Sequence, residues 1–158
     1  MPITTPDLPQ GYELHTGFPS VAEYRHLRYA SGLTPMTEAQ SAAVPAGTWY
    51  GCYIAFTTPA ESNTSPATAV AMGRIVGDGA WYFQIADMAV LPEHQRRGLG
   101  GVILKELLAQ VRERAPEGDP YVTLMADAPG RRLYAKNGFV EAAPKEMGML
   151  LPGGWRER

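Results

Sequence analysis

Cysteine and histidine are scarce: one Cys and three His in 158 residues. A disulfide framework and any cysteine-based zinc site are thereby excluded, and His15, His26 and His94 have no metal-ligand spacing. No apolar run approaches the ~20 residues that a membrane helix needs, so no membrane partner is expected. Charge of one sign is also missing. Fourteen basic residues face sixteen acidic ones, a net charge of −2, so no overall field draws in nucleic acid. Basic residues cluster only locally, at Arg96–Arg97, Arg112–Arg114 and Arg131–Arg132. The stretch from Met1 to Pro6 has neither a basic nor an apolar signal region, which makes the cytoplasm the expected location.

What remains is an ordinary globular balance, 45% apolar and 19% charged. One domain over 1–158 is expected, with a proline-rich loose arm at 1–10 and a polar tail at 152–158. Gly11–Gly17 alternates as a short strand. Ser20-Val21-Ala22-Glu23 is a capping box opening a helix whose one face carries Val21, Tyr24, Leu27 and Arg28. A second helix is expected from Thr37 to Val44, then strands over Thr48–Thr57, Ala67–Val76 and Trp81–Val90. Residues 58–67 read as a loop, and Asp78-Gly79 as a hairpin turn. From Gly100 the period becomes helical, with Ile103, Leu104, Leu107, Leu108 and Val111 on one stripe. A strand at Tyr121–Ala126, a helix over Ala128–Asn137 and strand-like material at Phe139–Leu151 complete the chain. Hairpins followed by a β-α-β crossover predict an α+β fold with a mostly antiparallel sheet and helices on its faces.

The segment Asp87-Met88-Ala89-Val90-Leu91-Pro92-Glu93-His94-Gln95-Arg96-Arg97-Gly98-Leu99-Gly100-Gly101 carries the chemistry. A strand ends near Pro92, and two arginines and three glycines then open a long helix. The first turn of a helix leaves backbone N–H groups unpaired and adds about half a positive charge. Glycines let the backbone approach a ligand, and together these features make a phosphate site. Two common phosphate motifs fail. Val102-Ile103 follows Gly101 where a Walker A loop needs Lys-Ser/Thr, and the glycine spacing does not fit a dinucleotide fingerprint.

Val90-x-Pro92 followed by Gln95-Arg96-Arg97-Gly98-Leu99-Gly100 resembles motif A of the GNAT N-acetyltransferase superfamily. Leu133-Tyr134-Ala135-Lys136-Asn137-Gly138-Phe139 is similar to that family's second signature, in the expected order and on the expected element. The resemblance is detailed over about residues 68–140. It implies a central sheet of six to seven strands, splayed at two parallel central strands and flanked by about four helices. It implies acetyl-CoA as cofactor, with Gln95, Arg96, Arg97, Gly98, Leu99, Gly100 and Gly101 around the pyrophosphate. Met88, Ala89 and Val90 would line the pantetheine arm and acyl carbonyl, and Tyr134 would be the general acid, unless it is an ordinary buried aromatic.

Departures from the family pattern leave several roles open. Asp127 stands where members often have an asparagine that contacts pantetheine, and it could instead cap the following helix. Arg131 is placed near the cofactor by the resemblance, or faces solvent. Gln84 stands where several members place a glutamate base. Asp87 is the nearest carboxylate and the candidate base, but strand alternation turns it away from the Gln84 face unless a bulge intervenes. Glu23 and His26 could relay a proton through water. Tyr24, Tyr29, Trp49, Tyr50 and Tyr82, with Gln84, form the expected acceptor lining and suggest a small or medium amine with an apolar portion. The implied reaction is transfer to a primary amine by direct attack in a ternary complex. A protein N-terminus or lysine as acceptor, and a catalytically reduced acyl-CoA-binding module, stay open, as does a homodimer.

Overall fold

The computed structural model describes residues 8–58, 66–154 and 156. The expected arm falls mostly outside these residues, as do much of the 58–67 loop and part of the tail. The chain divides into two compact units, Met1–Leu124 and Met125–Arg158.

In the first unit the order is β1 (Tyr12–Thr16), α1 (Val21–Ala30), α2 (Glu38–Ala43), β2 (Tyr50–Phe56), β3 (Thr68–Gly77), β4 (Tyr82–Val90), α3 (Leu99–Arg114) and β5 (Tyr121–Leu124). The five strands form one sheet in the order β1-β2-β3-β4-β5. The first three pairings are antiparallel, and β4 pairs β5 in parallel through the α3 crossover. Capping boxes start both short helices: Ser20 with Glu23, and Thr37 with Gln40. Each pair satisfies two backbone donors that a helix start would otherwise leave bare. The β3–β4 turn is held by Asp78, whose Oδ1 accepts from the amides of Ala80, Trp81 and Tyr82 at 2.8–3.0 Å.

The α3 stripe buries Leu99, Ile103, Leu104, Leu107 and Val111 against β2, β3 and β4. Each such side chain contributes about 1.5–3 kcal/mol. Tyr50 is anchored on the same face, its hydroxyl donating to Glu106 Oε1 of α3 at 2.7 Å. The opposite face carries α1, which buries Tyr24, Leu27 and Arg28.

Two irregularities shape β4. Between the pairs Met72↔Ala89 and Arg74↔Ala86, β3 has one residue, Gly73, where β4 has two, Asp87 and Met88. This is a β-bulge, and Asp87 takes a left-handed φ of 56° within it. A Cβ on Gly73 would lie 2.6 Å from Ile103 and 2.7 Å from the Met88 sulfur, so only glycine lets α3 settle onto the bulge. Secondly, β5 pairs with β4 only over Tyr82–Ile85. From Ala86 to Val90, β4 has no strand partner on that edge among the described residues.

The second unit contains a 3₁₀ turn (Ala128–Gly130) and α4 (Arg131–Lys136). Five strands and four α-helices are thus present among the described residues, fewer strands than the six to seven expected. The difference lies in Phe139–Leu151, which forms no strand. Apolar residues alone do not make a strand without a neighbouring backbone to pair with. Met147, Met149, Leu150 and Leu151 are exposed, and Pro144 lacks the N–H a ladder needs.

Candidate active site

The β4-to-α3 connection contains the features expected of a phosphate site. A 3₁₀ turn at Pro92–His94 leads into Gln95, then Arg96 at φ 60° and Gly98 at φ 82°. Left-handed Gly98 followed by the right-handed first turn of α3 turns successive backbone N–H groups to one side, the geometry of an anion nest. Gly98 is the N-cap of α3 and supplies no side-chain cap, so the first amides of a 16-residue helix stay available. Gln95, Arg96, Arg97 and Gly98 are exposed, whereas Leu99 is buried and pins the helix start. Gly100 and Gly101 lie within the first helical turn.

Side chains hold this loop in place. Gln95 Nε2 donates to the Val90 carbonyl at 3.1 Å, tying the loop back to the end of β4. The Tyr12 hydroxyl and His94 Nδ1 are 2.8 Å apart, and the imidazole packs against Phe56 and Tyr12. Burial lowers the His94 pKa, favouring the neutral ring. The Leu91 amide donates to Val70 at 2.9 Å, so by strand alternation the Val90 amide faces the edge that β5 leaves open.

The bulge puts Asp87 on the α1 face, which alternation gives to Gln84 as well. Asp87 does not stand free there. Oδ1 accepts from Arg28 Nη1 at 2.5 Å, and Oδ2 accepts from Arg74 Nε at 2.5 Å and from the Tyr24 hydroxyl. The side chains of Arg28, Arg74 and Asp87 are 10%, 17% and 10% exposed. Burial, then the bond to Asp87, pushes the Tyr24 pKa up to about 12. Glu23 is engaged too: Oε2 accepts from Ser20, and Oε1 from the Ala69 amide at 3.0 Å. His26 is exposed on α1.

The aromatic residues expected to line an acceptor site are not brought together. Tyr24 is buried on the α1 face and Tyr29 is exposed. Trp49 packs edge-on against Phe83, beneath the Arg114 guanidinium of α3, and Tyr50 binds Glu106 of α3. Tyr82 is exposed beside Trp81 and Tyr121 at the start of β4, and Gln84 is exposed.

In the second unit, Tyr134 sits on α4 with its ring edge-on to Phe139. Burial, then the charge of Asp127, raises its pKa, so the phenol stays protonated through the neutral range. Asp127 occupies the N-cap position of the 3₁₀ turn, and its side chain makes no cap bond. Arg131 is exposed.

Sequence reasoning passed over Arg28 and Arg74 as functional residues. The signals were present: an arginine on the apolar face of α1, and a lone charge within the apolar run of β3.

The mixed sheet, with its one parallel pair joined through a long helix that starts in a glycine-rich turn after β4, places the chain among α+β folds. The family model of the GNAT acetyltransferase domain matches residues 48–141. The chain belongs to the GNAT acetyltransferase family. Among solved structures it is similar to a probable acetyltransferase of unknown function from methicillin-resistant Staphylococcus aureus. That match has 27% identity and a TM-score of 0.77, covering 89% of this chain and 98% of the other. A GNAT family acetyltransferase from Streptococcus pneumoniae shares the fold at 22% identity and TM-score 0.68, covering 90% and 98%. The ribosomal-protein-S18-alanine N-acetyltransferase of Escherichia coli shares it at 20% identity and TM-score 0.63, covering 84% and 79%. Among curated proteins no relative matches the chain. No helix among the described residues is long and apolar enough to cross a membrane.

Proposed function

We propose that the chain transfers an acetyl group from acetyl-CoA to the primary amine of a small-molecule acceptor by direct attack in a ternary complex. One observation carries this reading: the nest at Gly98, with the uncapped start of α3, follows the end of β4, whose residues Ala86–Val90 have no strand partner on one edge among the described residues. The nest and helix start suit the CoA pyrophosphate. The open β4 edge suits the pantetheine amide groups, which need backbone partners just as a missing strand would.

The amine attacks the thioester carbonyl, the C–S bond breaks, and the thiolate takes up a proton. A backbone N–H at the open edge, that of Val90, stabilises the developing oxyanion. Tyr134 supplies the thiolate's proton. The family signature and its protonated state support that role. Asp87 is a poor proton acceptor for the amine, because both its oxygens already accept from cations. The amine therefore enters neutral and, once the C–N bond has formed, gives up one proton to water as the C–S bond breaks.

An amine panel with acetyl-CoA and longer acyl donors, followed by free-thiol release, tests the reading. Amine-dependent thiol release with stoichiometric amide product is expected. Binding of CoA without release by any amine would leave an acyl-CoA-binding module. Release only with peptide N-termini or lysyl peptides would move the acceptor class to proteins.

A further inference from the structure

We propose that the hydrogen bond between Tyr12 and His94 is a latch that sets the affinity of the β4–α3 loop for CoA, with His94 as a positioning residue. This rests on the reading of that loop as the CoA pyrophosphate site and names what holds it ready.

The latch joins parts of the chain that are distant in sequence. Tyr12 opens β1, an edge strand of the sheet. Its hydroxyl is 2.8 Å from Nδ1 of His94, 82 positions along the chain. The ring of Phe56, the β2 residue paired with Tyr12, packs on both, at 4.6 Å from the phenol ring and 5.0 Å from the imidazole. A phenol can give or take a proton, so either neutral tautomer of His94 closes the bond. Burial favours the neutral ring, so the contact is a hydrogen bond and not an ion pair.

Each half of the latch is firmly seated. Tyr12 is buried, and its amide donates to the Pro9 carbonyl at 3.2 Å. Beside it the Thr57 amide donates to the Gly11 carbonyl at 2.9 Å. Gly11 has φ 87°, and a Cβ there would lie 2.7 Å from the Thr57 oxygen, so glycine alone lets the two backbones close up before Tyr12. His94 ends the 3₁₀ turn, its amide donating to the carbonyl of buried Leu91 at 2.9 Å.

The stretch after His94 has little else to hold it. Gln95, Arg96, Arg97 and Gly98 are exposed. Among the described residues, the one side-chain hydrogen bond from these four is that of Gln95 to the Val90 carbonyl. A nest holds an anion only while its amides keep their direction. Pinned at His94 on one side and at buried Leu99 on the other, the intervening backbone is ordered before a ligand arrives. Freedom already lost is not lost again on binding, so the latch raises affinity through preorganisation. The imidazole faces Tyr12 and Phe56, and it acts through the backbone rather than by touching phosphate.

The test is calorimetric binding of CoA to the full chain and its variants. Tyr12→Phe keeps the ring and removes only the hydroxyl, and the CoA Kd should rise about fivefold, the worth of one lost hydrogen bond. His94→Ala should weaken binding by about tenfold or more. His94→Asn places an amide near the Nδ1 position and should recover most of that loss, which separates the latch from a folding defect. The double variant Tyr12→Phe/His94→Ala should bind no more weakly than His94→Ala. In turnover, the KM for acetyl-CoA should rise in Tyr12→Phe while kcat stays unchanged. Unchanged CoA affinity in Tyr12→Phe would overturn the proposal, even if His94 variants bind poorly, since His94 would then contact the phosphate directly. Strictly additive losses, or His94→Asn binding as poorly as His94→Ala, would overturn it too. Latch-dependent CoA binding without turnover of any amine would overturn the transferase reading and leave the latch standing. A wild-type chain that does not bind CoA would overturn both.

Discussion

Asp87 Oδ1 accepts from Arg28 Nη1 at 2.5 Å at the residue where β4 gains its bulge, so an ion pair from α1 closes on the one left-handed position of the strand. A non-glycine residue in that region costs on the order of 1 kcal/mol and persists only where its surroundings hold it. Arg28 and Arg74 supply that hold, and the bulge in turn sets the direction of Met88–Val90.

Asp87→Ala is therefore expected to act on stability before catalysis. It strands two mostly buried guanidiniums without a counter-charge, a loss of about 3–5 kcal/mol by comparison with other broken buried pairs. Denaturant unfolding measures it. A loss under about 1 kcal/mol, together with a sharp fall in kcat, would instead mark Asp87 as a base.

Alkaline pH should weaken the fold through Tyr24 and Tyr50, both pushed up to about 12, each chiefly by burial. Their folded pKa lies above the ordinary tyrosine value of 10.0, so between about pH 10 and 12 the unfolded chain has lost protons that the folded chain keeps. Stability is complete below that window and falls as pH rises through it, by about 1.4 kcal/mol per pH unit for each tyrosine. Unfolding of the Tyr24→Phe and Tyr50→Phe variants across the window should show a shallower decline than wild type. An unchanged slope in both would refute the assignment.

Gly73→Ala should cost about 1–3 kcal/mol by overpacking, since its Cβ meets Ile103 at 2.6 Å and Met88 at 2.7 Å. Ile103→Ala in the same chain removes the Cγ2 that makes that contact. Thermal unfolding of the double variant should then show a loss smaller than the sum of the two single losses, and strictly additive losses would argue that the contact does not matter.

Much of this was legible in the sequence, and the failures have physical reasons. Capping boxes, the Asp78 hairpin and the α3 stripe are local signals, and the structure keeps them near their expected bounds. The bulge is a property of a strand pair. Asp87 alone gave no sign of it, because the missing residue is opposite, at Gly73 of β3. The acceptor lining misled for a similar reason. Trp49 and Tyr24 are both apolar and aromatic, but composition does not say which face of the sheet each occupies. Strand-like spacing at Phe139–Leu151 likewise carried no information about whether a pairing edge existed.

The loop offers a way to separate backbone from side chain. Gly98→Ala forces a Cβ into φ 82° at the start of α3, a cost of about 1–2 kcal/mol, and should weaken CoA binding. Arg96→Gly relieves φ 60° and should leave stability equal or slightly higher. If backbone amides hold the pyrophosphate, calorimetry should find CoA affinity falling more in Gly98→Ala than in Arg96→Gly. The opposite order would give the work to the Arg96 guanidinium.

Tyr134 can be tested through its neighbour. Tyr134→Phe removes only the hydroxyl and should lower kcat by roughly a hundredfold or more with CoA affinity unchanged, as expected for a lost general acid. Gly130→Ala keeps the hydroxyl but puts a Cβ 2.9 Å from Tyr134 Cε2 and 3.6 Å from its oxygen. The ring must shift, and kcat should fall for that reason alone. If both substitutions act through the same proton, the double variant should be scarcely slower than Tyr134→Phe. Additive losses would mean that Gly130→Ala disturbs something other than the phenol, and an unchanged kcat in Tyr134→Phe would remove the acid role outright.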